Sequence, residues 1–346
     1  MNTMLAARLI KAGLPLSIDE VPVPEPAPDE VLVKVGACGL CGTDLHLAVA
    51  GDIPVERTPI TLGHECAGTV AALGRDVRGL REGDRVVLFP AASCGACRFC
   101  LQGRESLCDT SKVYGMARDG ALAEYVAAPA RSTIALPAAV PFDIGAIVTD
   151  GVSTPFHALR SRGALRAGET VAVIGCGGLG THAIMLARLM GAACVVAIDV
   201  DAGALARARA LGADLTVNPA EEDAAKAVRK RLGGVDLALE FVGTPETVEL
   251  ALRVLGKGGR AVVVGVGTGR PALPPLLAFV GREQAVIGSF GMDRCDIVDL
   301  FALIAAGRLD LAPSISARYP LPQADAALRH LASRGVVRVV VVPNEE

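Results

Sequence analysis

Between residues 170 and 265, short strands rich in Val, Ala, Ile and Leu alternate with helical runs of Ala, Leu and Arg. Strand signals fall at 170–175 (Thr-Val-Ala-Val-Ile-Gly), 194–199 (Cys-Val-Val-Ala-Ile-Asp), 237–240 and 261–265. Helical patterns at 179–190, 204–211, 224–231 and 245–255 separate them. Strands that are apolar throughout are covered on both faces, and a parallel return needs a crossover long enough to hold a helix. Such an alternation forces an α/β layer, a doubly wound parallel sheet. The composition agrees: 51% of residues are hydrophobic but only 3% aromatic, so the cores are built from small aliphatic side chains.

Gly175-Cys176-Gly177-Gly178-Leu179-Gly180 matches G-x-G-x-x-G. In a chain with 39 glycines the pattern alone is weak. Its context makes it informative: it follows a predicted strand, opens a predicted helix, and Asp199 closes the next strand. This is the fingerprint of a Rossmann dinucleotide site. Gly175 makes the tight turn, Gly177 admits the pyrophosphate, Gly180 permits close strand–helix packing, and the N–H groups at Gly178 and Leu179 face the phosphates. Asp199 is placed to accept from the ribose hydroxyls. A carboxylate there repels a 2′-phosphate, so NAD is expected over NADP.

Cys94, Cys97, Cys100 and Cys108 lie within one 15-residue stretch. Two overlapping Cys-x-x-Cys steps and a fourth Cys can wrap one tetrahedral Zn²⁺. Four thiolates fill the coordination sphere, so this zinc is structural and the chemistry lies elsewhere. Disulfides are the rival reading, disfavoured because residues 1–8 lack the charged start and apolar core of a secretory signal. A reducing cytoplasm is the expectation. Cys38, Cys66, Cys176, Cys194 and Cys295 sit in apolar runs and read as small core residues. No apolar run approaches the roughly 20 residues that span a bilayer, so no membrane partner is expected. With a net charge of −3 and scattered Lys and Arg, neither is a nucleic-acid partner.

The segment before the Rossmann pattern is strand-like and punctuated by turns. An extended, proline-stiffened stretch at 21–28 leads into a strand at 30–35, and another strand follows a turn at 83–88. The end of the chain offers one amphipathic helix at 297–306 and a strand at 336–341. That is too little for a domain, so it is expected to return and complete the first one. The expected division is 1–151 with 288–346, carrying the four-Cys lobe at about 90–110, and 152–287 as the Rossmann domain.

Cys41 lies in Cys-Gly-Thr-Asp-Leu-His, and His64 and Glu65 lie in Gly-His-Glu-Cys-Ala-Gly. The run Gly63-His64-Glu65-x-x-Gly68, then Gly74 and Val77, resembles the signature of zinc-containing alcohol dehydrogenases, the medium-chain dehydrogenase/reductase family. The likeness runs the length of the chain in order: Cys41, His64-Glu65, the four-Cys lobe, the Rossmann glycines and a late Arg338. It implies a mainly β, GroES-like catalytic domain beside the Rossmann domain. It also implies that Cys41 and His64 ligate a catalytic zinc, that Thr43 and His46 relay the alcohol proton, and that Asp44 and Glu65 act beside the ligands. Thr154 matches a position beside the nicotinamide, the backbone of Gly265 and Val266 one that holds the carboxamide, and Arg338 one that reaches the cofactor phosphates.

Elementary chemistry runs the same way. A hydride leaves an alcohol carbon readily only once the oxygen has lost its proton, and Zn²⁺ as a Lewis acid makes that loss accessible near neutral pH. A hydroxyl such as Thr43 can take the proton and an imidazole nearer solvent can pass it outward. Asp44 can hold the free N–H of His64.

The third protein ligand departs from the family's commonest pattern. Asp150, in Thr-Asp-Gly-Val-Ser-Thr, stands where a Cys is usual. Asp150 is the expected ligand; the alternative makes it a helix cap and gives the position to Glu65. The expected function is reversible hydride transfer between an alcohol and NAD⁺, with two zincs per subunit. The alternative substrate is a polyol or a cyclic hydroxyacyl thioester. A regulatory relative without chemistry is disfavoured by the company of Cys41, Thr43, His46, His64 and Glu65. The resemblance also implies a homodimer or homotetramer joined through strands around 262–266 and 285–287. Phe89 and Pro90, just before the four-Cys lobe, are candidates for the substrate pocket.

Overall fold

The computed structural model describes residues 2–333 and 335–344. The chain divides into two compact units, Met1–Ser153 with Asp293–Glu346, and Thr154–Met292. The second unit's sheet ends on the strand Ala285–Gly288, one residue past the expected division at 287/288.

The first unit is mainly β. Its seven-stranded sheet runs Thr133–Ala135, Arg85–Leu88, Glu65–Leu73, Glu30–Leu40, Arg338–Val342, Ile315–Pro320, and Tyr125–Pro129 also pairs with Glu30–Leu40. The C-terminal strand thus pairs with a strand from the beginning of the chain, Val339 against Leu40. Glu30–Leu40 extends five residues past the alternation visible at 30–35. Residues 36–39 are small because other side chains lie over them: a Cβ on Gly36 would meet Phe142 at 2.5 Å. The core, Val31, Val33, Val35, Leu40, Val70, Leu88, Val126, Val339 and Val341 among others, is aliphatic.

This sheet matters for what one of its edges gathers. Glu65 begins its strand, Gly39 and Leu40 end theirs, and Arg338 begins the third, all at the same end of adjacent antiparallel strands. A β-carbon on Gly39 would lie 2.0 Å from Glu65 Oε2, so only glycine there lets the carboxylate lie across the sheet.

The second unit holds six parallel strands in the order Leu215–Val217, Cys194–Ile198, Thr170–Ile174, Val235–Glu240, Leu255–Val263, Ala285–Gly288. This is the Rossmann order, with its switch point between Thr170–Ile174 and Val235–Glu240. Helices Gly178–Leu189, Ala202–Ala210, Ala224–Leu232 and Pro245–Val254 alternate with the strands. Among the described residues no helix is long and apolar enough to cross a membrane. Cys38, Cys66 and Cys176 are buried as expected; Cys194 is half-buried and Cys295 is exposed on its helix Arg294–Ala305.

Candidate active site

Cys41 follows directly on the strand Glu30–Leu40 and caps the short helix Gly42–Leu45. Its Sγ accepts from the Thr43 N–H at 3.2 Å while its own N–H donates to Asp44 Oδ2 at 3.0 Å. This reciprocal cap fixes the Cys41 sulfur and buries Asp44 completely. Glu65 begins the neighbouring strand Glu65–Leu73, and His64 immediately precedes it. Asp150 arrives from the π-turn Val148–Val152, which extends the helix Phe142–Ile147.

The donor atoms of Cys41, His64, Glu65 and Asp150 all lie within 4.8 Å of one another. His64 Nε2 is 3.1 Å from Cys41 Sγ and 3.6 Å from Asp150 Oδ2. The sulfur-to-nitrogen edge of a tetrahedral zinc site is about 3.5 Å, so these three atoms are spaced to share one ion. The other ring nitrogen, His64 Nδ1, faces Asp44 Oδ1 at 4.0 Å.

The charges of this cluster call for a cation. Burial pushes the Cys41 thiol and the Asp44 carboxyl up, and raises Glu65 to about 8 against the pull of Arg338. Burial alone would lower His64, but Cys41, Asp150 and Asp44 outweigh it and hold the ring well above its ordinary value. Cys41, Asp44, Glu65 and Asp150 therefore crowd one imidazole and one guanidinium, an arrangement that a divalent cation would relieve. Glu65 Oε2, Asp44 Oδ1 and His64 Nδ1 are buried without a hydrogen-bond partner among the described residues. The donor set of sulfur, imidazole and carboxylate fits zinc.

Arg338 is 2% exposed. Its Nη1 donates to Glu65 Oε1 at 3.1 Å and to the Leu40 carbonyl at 3.5 Å, and a Cβ on Gly151 would meet its Nη2 at 2.1 Å. The structure thus gives Arg338 a partner that the sequence did not single out, the Glu65 carboxylate. Phe89 is 2% exposed and packed in the core. Thr43 is half-buried, while the His46 ring is 44% exposed with Nδ1 against Asp52.

The four-Cys lobe is separate. Cys94, Cys97, Cys100 and Cys108 are free thiols whose sulfurs all lie within 4.8 Å of one another. Cys97 to Cys100 is 3.6 Å and Cys94 to Cys100 is 3.9 Å, against an edge of about 3.8 Å for zinc with four thiolates. The N–H groups of Ala96 and Cys97 donate to Cys94 Sγ, and they bring that thiol down to about 6. Backbone donors that favour thiolate suit a metal lobe rather than a disulfide.

In the second unit Gly175 turns with φ +85°, and its N–H donates to the Ile198 carbonyl. A Cβ on Gly180 would lie 1.8 Å from the Gly175 carbonyl oxygen, whereas one on Gly177 would meet no protein atom within 4 Å. Gly180 is thus required by the protein's own packing, and Gly177 leaves open space at the start of Gly178–Leu189, where a phosphate fits. Asp199 Oδ2 accepts from the Cys176 N–H at 2.7 Å and Oδ1 from the Asp201 N–H at 2.8 Å. The acidic residue is thereby tied to the glycine turn.

Gly265 packs closely on Gly243: a Cβ there would lie 2.2 Å from the Gly243 nitrogen, and Val266 is exposed beyond it. Thr154 is buried. Sequence reasoning missed Glu240, fully buried, whose Oε1 accepts from the N–H groups of Val242 and Gly243 and from the Thr247 hydroxyl. It latches the loop against which Gly265 packs, and its place at the end of a strand was the available signal.

Residues 27–138 match the alcohol dehydrogenase GroES-like domain family, and residues 178–306 match the zinc-binding dehydrogenase family. An alcohol dehydrogenase of Rhizobium meliloti is 39% identical over 309 residues, covering 89% of this chain and 90% of the relative. An L-threonine 3-dehydrogenase of Symbiobacterium thermophilum is 34% identical over 350 residues, covering 99% of each. Among solved structures, a zinc-binding dehydrogenase of Sinorhizobium meliloti 1021 bound to NADP superposes with a TM-score of 0.91 at 36% identity, over 99% of this chain and 100% of that one.

Proposed function

Because this chain belongs to the zinc-containing alcohol dehydrogenase family of medium-chain dehydrogenases/reductases, with zinc and a nicotinamide dinucleotide as cofactors, we propose that it oxidises a small alcohol with NAD⁺ and that Cys41, His64 and Asp150 hold the catalytic zinc. The observation that carries this reading is the convergence of those three donor atoms in a buried cluster of acidic groups. Bound there, zinc lowers the pKa of an alcohol hydroxyl, and NAD⁺ accepts the hydride.

The remaining chemistry belongs to the chain. Thr43, half-buried beside Cys41, takes the hydroxyl proton and hands it to His46, whose exposed ring releases it to water. Asp44 Oδ1, 4.0 Å from His64 Nδ1 and outside hydrogen-bond reach, acts on that side of the ring by its charge. Glu65, neutralised by Arg338, stands beside the ligands without being the third one. Cys94, Cys97, Cys100 and Cys108 hold the structural zinc. Gly175 to Gly180 carry the pyrophosphate and Asp199 the ribose; Thr154, Gly265 and Val266 serve the nicotinamide end. Arg338 is assigned to Glu65 rather than to the cofactor phosphates, on its burial and its 3.1 Å pair.

Asp150→Ala is expected to halve the zinc content, and Asp150→Cys to keep it; full occupancy in Asp150→Ala returns the position to Glu65. Initial rates with ethanol, 1-butanol, sorbitol, (2R,3R)-butanediol, L-threonine and a hydroxyacyl-CoA, each with NAD⁺ and NADP⁺, test the reaction. Turnover of simple alcohols with NAD⁺ is expected, and a clear preference for NADP⁺ or for a polyol would overturn that part. The working form is a homodimer or homotetramer. Leu255–Val263 is paired on both sides, so of the two strands expected at the interface only Ala285–Gly288 offers an edge, with Val286 43% exposed. A cytoplasmic setting keeps the lobe's thiols reduced.

A further inference from the structure

We propose that Asp52 is a positioning residue of the proton relay, holding the His46 ring in the tautomer whose Nε2 is bare and basic; this rests on the reading of His46 as the relay's outer base. His46 Nδ1 lies 2.9 Å from Asp52 Oδ1 and 3.0 Å from Oδ2, so the carboxylate receives the ring N–H with both oxygens. A neutral imidazole carries one N–H, and the bond made by one nitrogen decides which proton state the other shows. With Nδ1–H committed to Asp52, Nε2 is the acceptor.

The backbone builds this pairing. Residues His46–Ala50 form a π-turn, the Gly51 N–H closes it on the His46 carbonyl at 2.7 Å, and Gly51 adopts φ +68°. That left-handed residue reverses the chain and returns Asp52 to the ring six positions earlier. A Cβ on Gly51 would also lie 2.8 Å from the Ala12 Cβ, and the Gly13 N–H donates to the Ala48 carbonyl at 2.8 Å, so the turn is seated on the 10–14 loop.

The proton balance is simple. The hydroxyl proton of the substrate passes through Thr43 to His46 Nε2, the ring becomes imidazolium, and water removes the same proton from Nε2. Nδ1–H stays with Asp52 throughout, and the carboxylate steadies the positive ring. The pair is half-exposed, 44% and 55%, so it adds little to folding stability. Its consequence is for orientation.

The test uses the zinc-loaded enzyme throughout, with whichever alcohol it turns over fastest, and the ring ¹⁵N spectrum of the histidine-labelled protein followed over a pH series. In the parent, His46 (identified by its loss in His46→Ala) is expected to show protonated Nδ1 and bare Nε2, and Asp52→Ala to mix the tautomers. Asp52→Ala is expected to lower kcat about tenfold, part of what a placed base supplies, with KM unchanged. Its Tm should move by less than about 4 °C. Asp52→Glu should recover most of kcat. A parent spectrum with protonated Nε2, or an unchanged kcat in Asp52→Ala beside an impaired His46→Ala, overturns the role of Asp52 alone. An unchanged kcat in His46→Ala overturns the relay reading and the proposal with it.

Discussion

Replacing Asp199 by Ala removes a carboxylate with two tasks, one inside the protein and one, on the proposed function, toward the cofactor ribose. Oδ2 accepts from the Cys176 N–H at 2.7 Å and Oδ1 from the Asp201 N–H at 2.8 Å. Cys176 is fully buried, so orphaning its N–H costs about 2 kcal/mol, roughly 4–8 °C in the melting of a unit this size. Losing charge-assisted bonds to the ribose costs about 1.5–3 kcal/mol of binding, which weakens NAD⁺ about 10- to 100-fold. NADP⁺ should be affected in the opposite sense, because the repulsion of its 2′-phosphate goes with the charge. Titration calorimetry with both dinucleotides, beside thermal melts, separates the two roles. If Asp199→Ala melts lower but still binds NAD⁺ within twofold of the parent, the carboxylate serves the turn alone and the reasoning about cofactor choice fails.

Arg338→Met leaves Glu65 buried without its counter-ion and should cost about 3–5 kcal/mol in denaturant unfolding; adding Glu65→Gln should restore a large part of it, and a simple sum of the two losses would deny the coupling. Glu169 is held below its ordinary value: partial burial pushes it up, but the hydrogen bonds and charge of Arg260 outweigh that. A lowered carboxyl stabilises fully above its unfolded value of 4.5 and loses that contribution as pH falls through the folded one, so the stability gap between the parent and Glu169→Gln should shrink on acidification; a gap independent of pH contradicts this. Gly39→Ala places a methyl on the Glu65 carboxylate and should destabilise by about 1–3 kcal/mol, measured by the same unfolding curves.

What was legible in the sequence was local. The strand, glycine turn and helix at 170–190 lie within one stretch, and each residue's reason is its neighbour: Gly180 against Gly175, Asp199 one strand away. The four-Cys lobe is equally compact. The buried cluster of Cys41, His64 and Asp150 is different. Cys41, His64 and Asp150 are distant in sequence and meet through the pairing of Glu30–Leu40 with Glu65–Leu73 and a π-turn, so only family likeness joined them beforehand. The strand Leu215–Val217, three residues and half-buried, left no alternation to read. Asp52 was invisible because its link to His46 runs through a left-handed glycine rather than along a helix or strand. Cys295 showed the opposite error: Asp293, Arg294 and Asp296 flank it, and it lies exposed in the first turn of the helix Arg294–Ala305.

The central claim is that two metal centres have different tasks, and zinc content per chain, measured by plasma mass spectrometry alongside alcohol turnover, tests it most directly. Two zincs per chain are expected in the parent. Cys41→Ser with His64→Ala should retain one zinc and an intact thermal melt while losing turnover. Cys97→Ser with Cys100→Ser should also retain one, with the melt lowered. A double variant at Cys41 and His64 that keeps both zincs, or keeps its turnover, would contradict the assignment of that buried cluster as the catalytic centre.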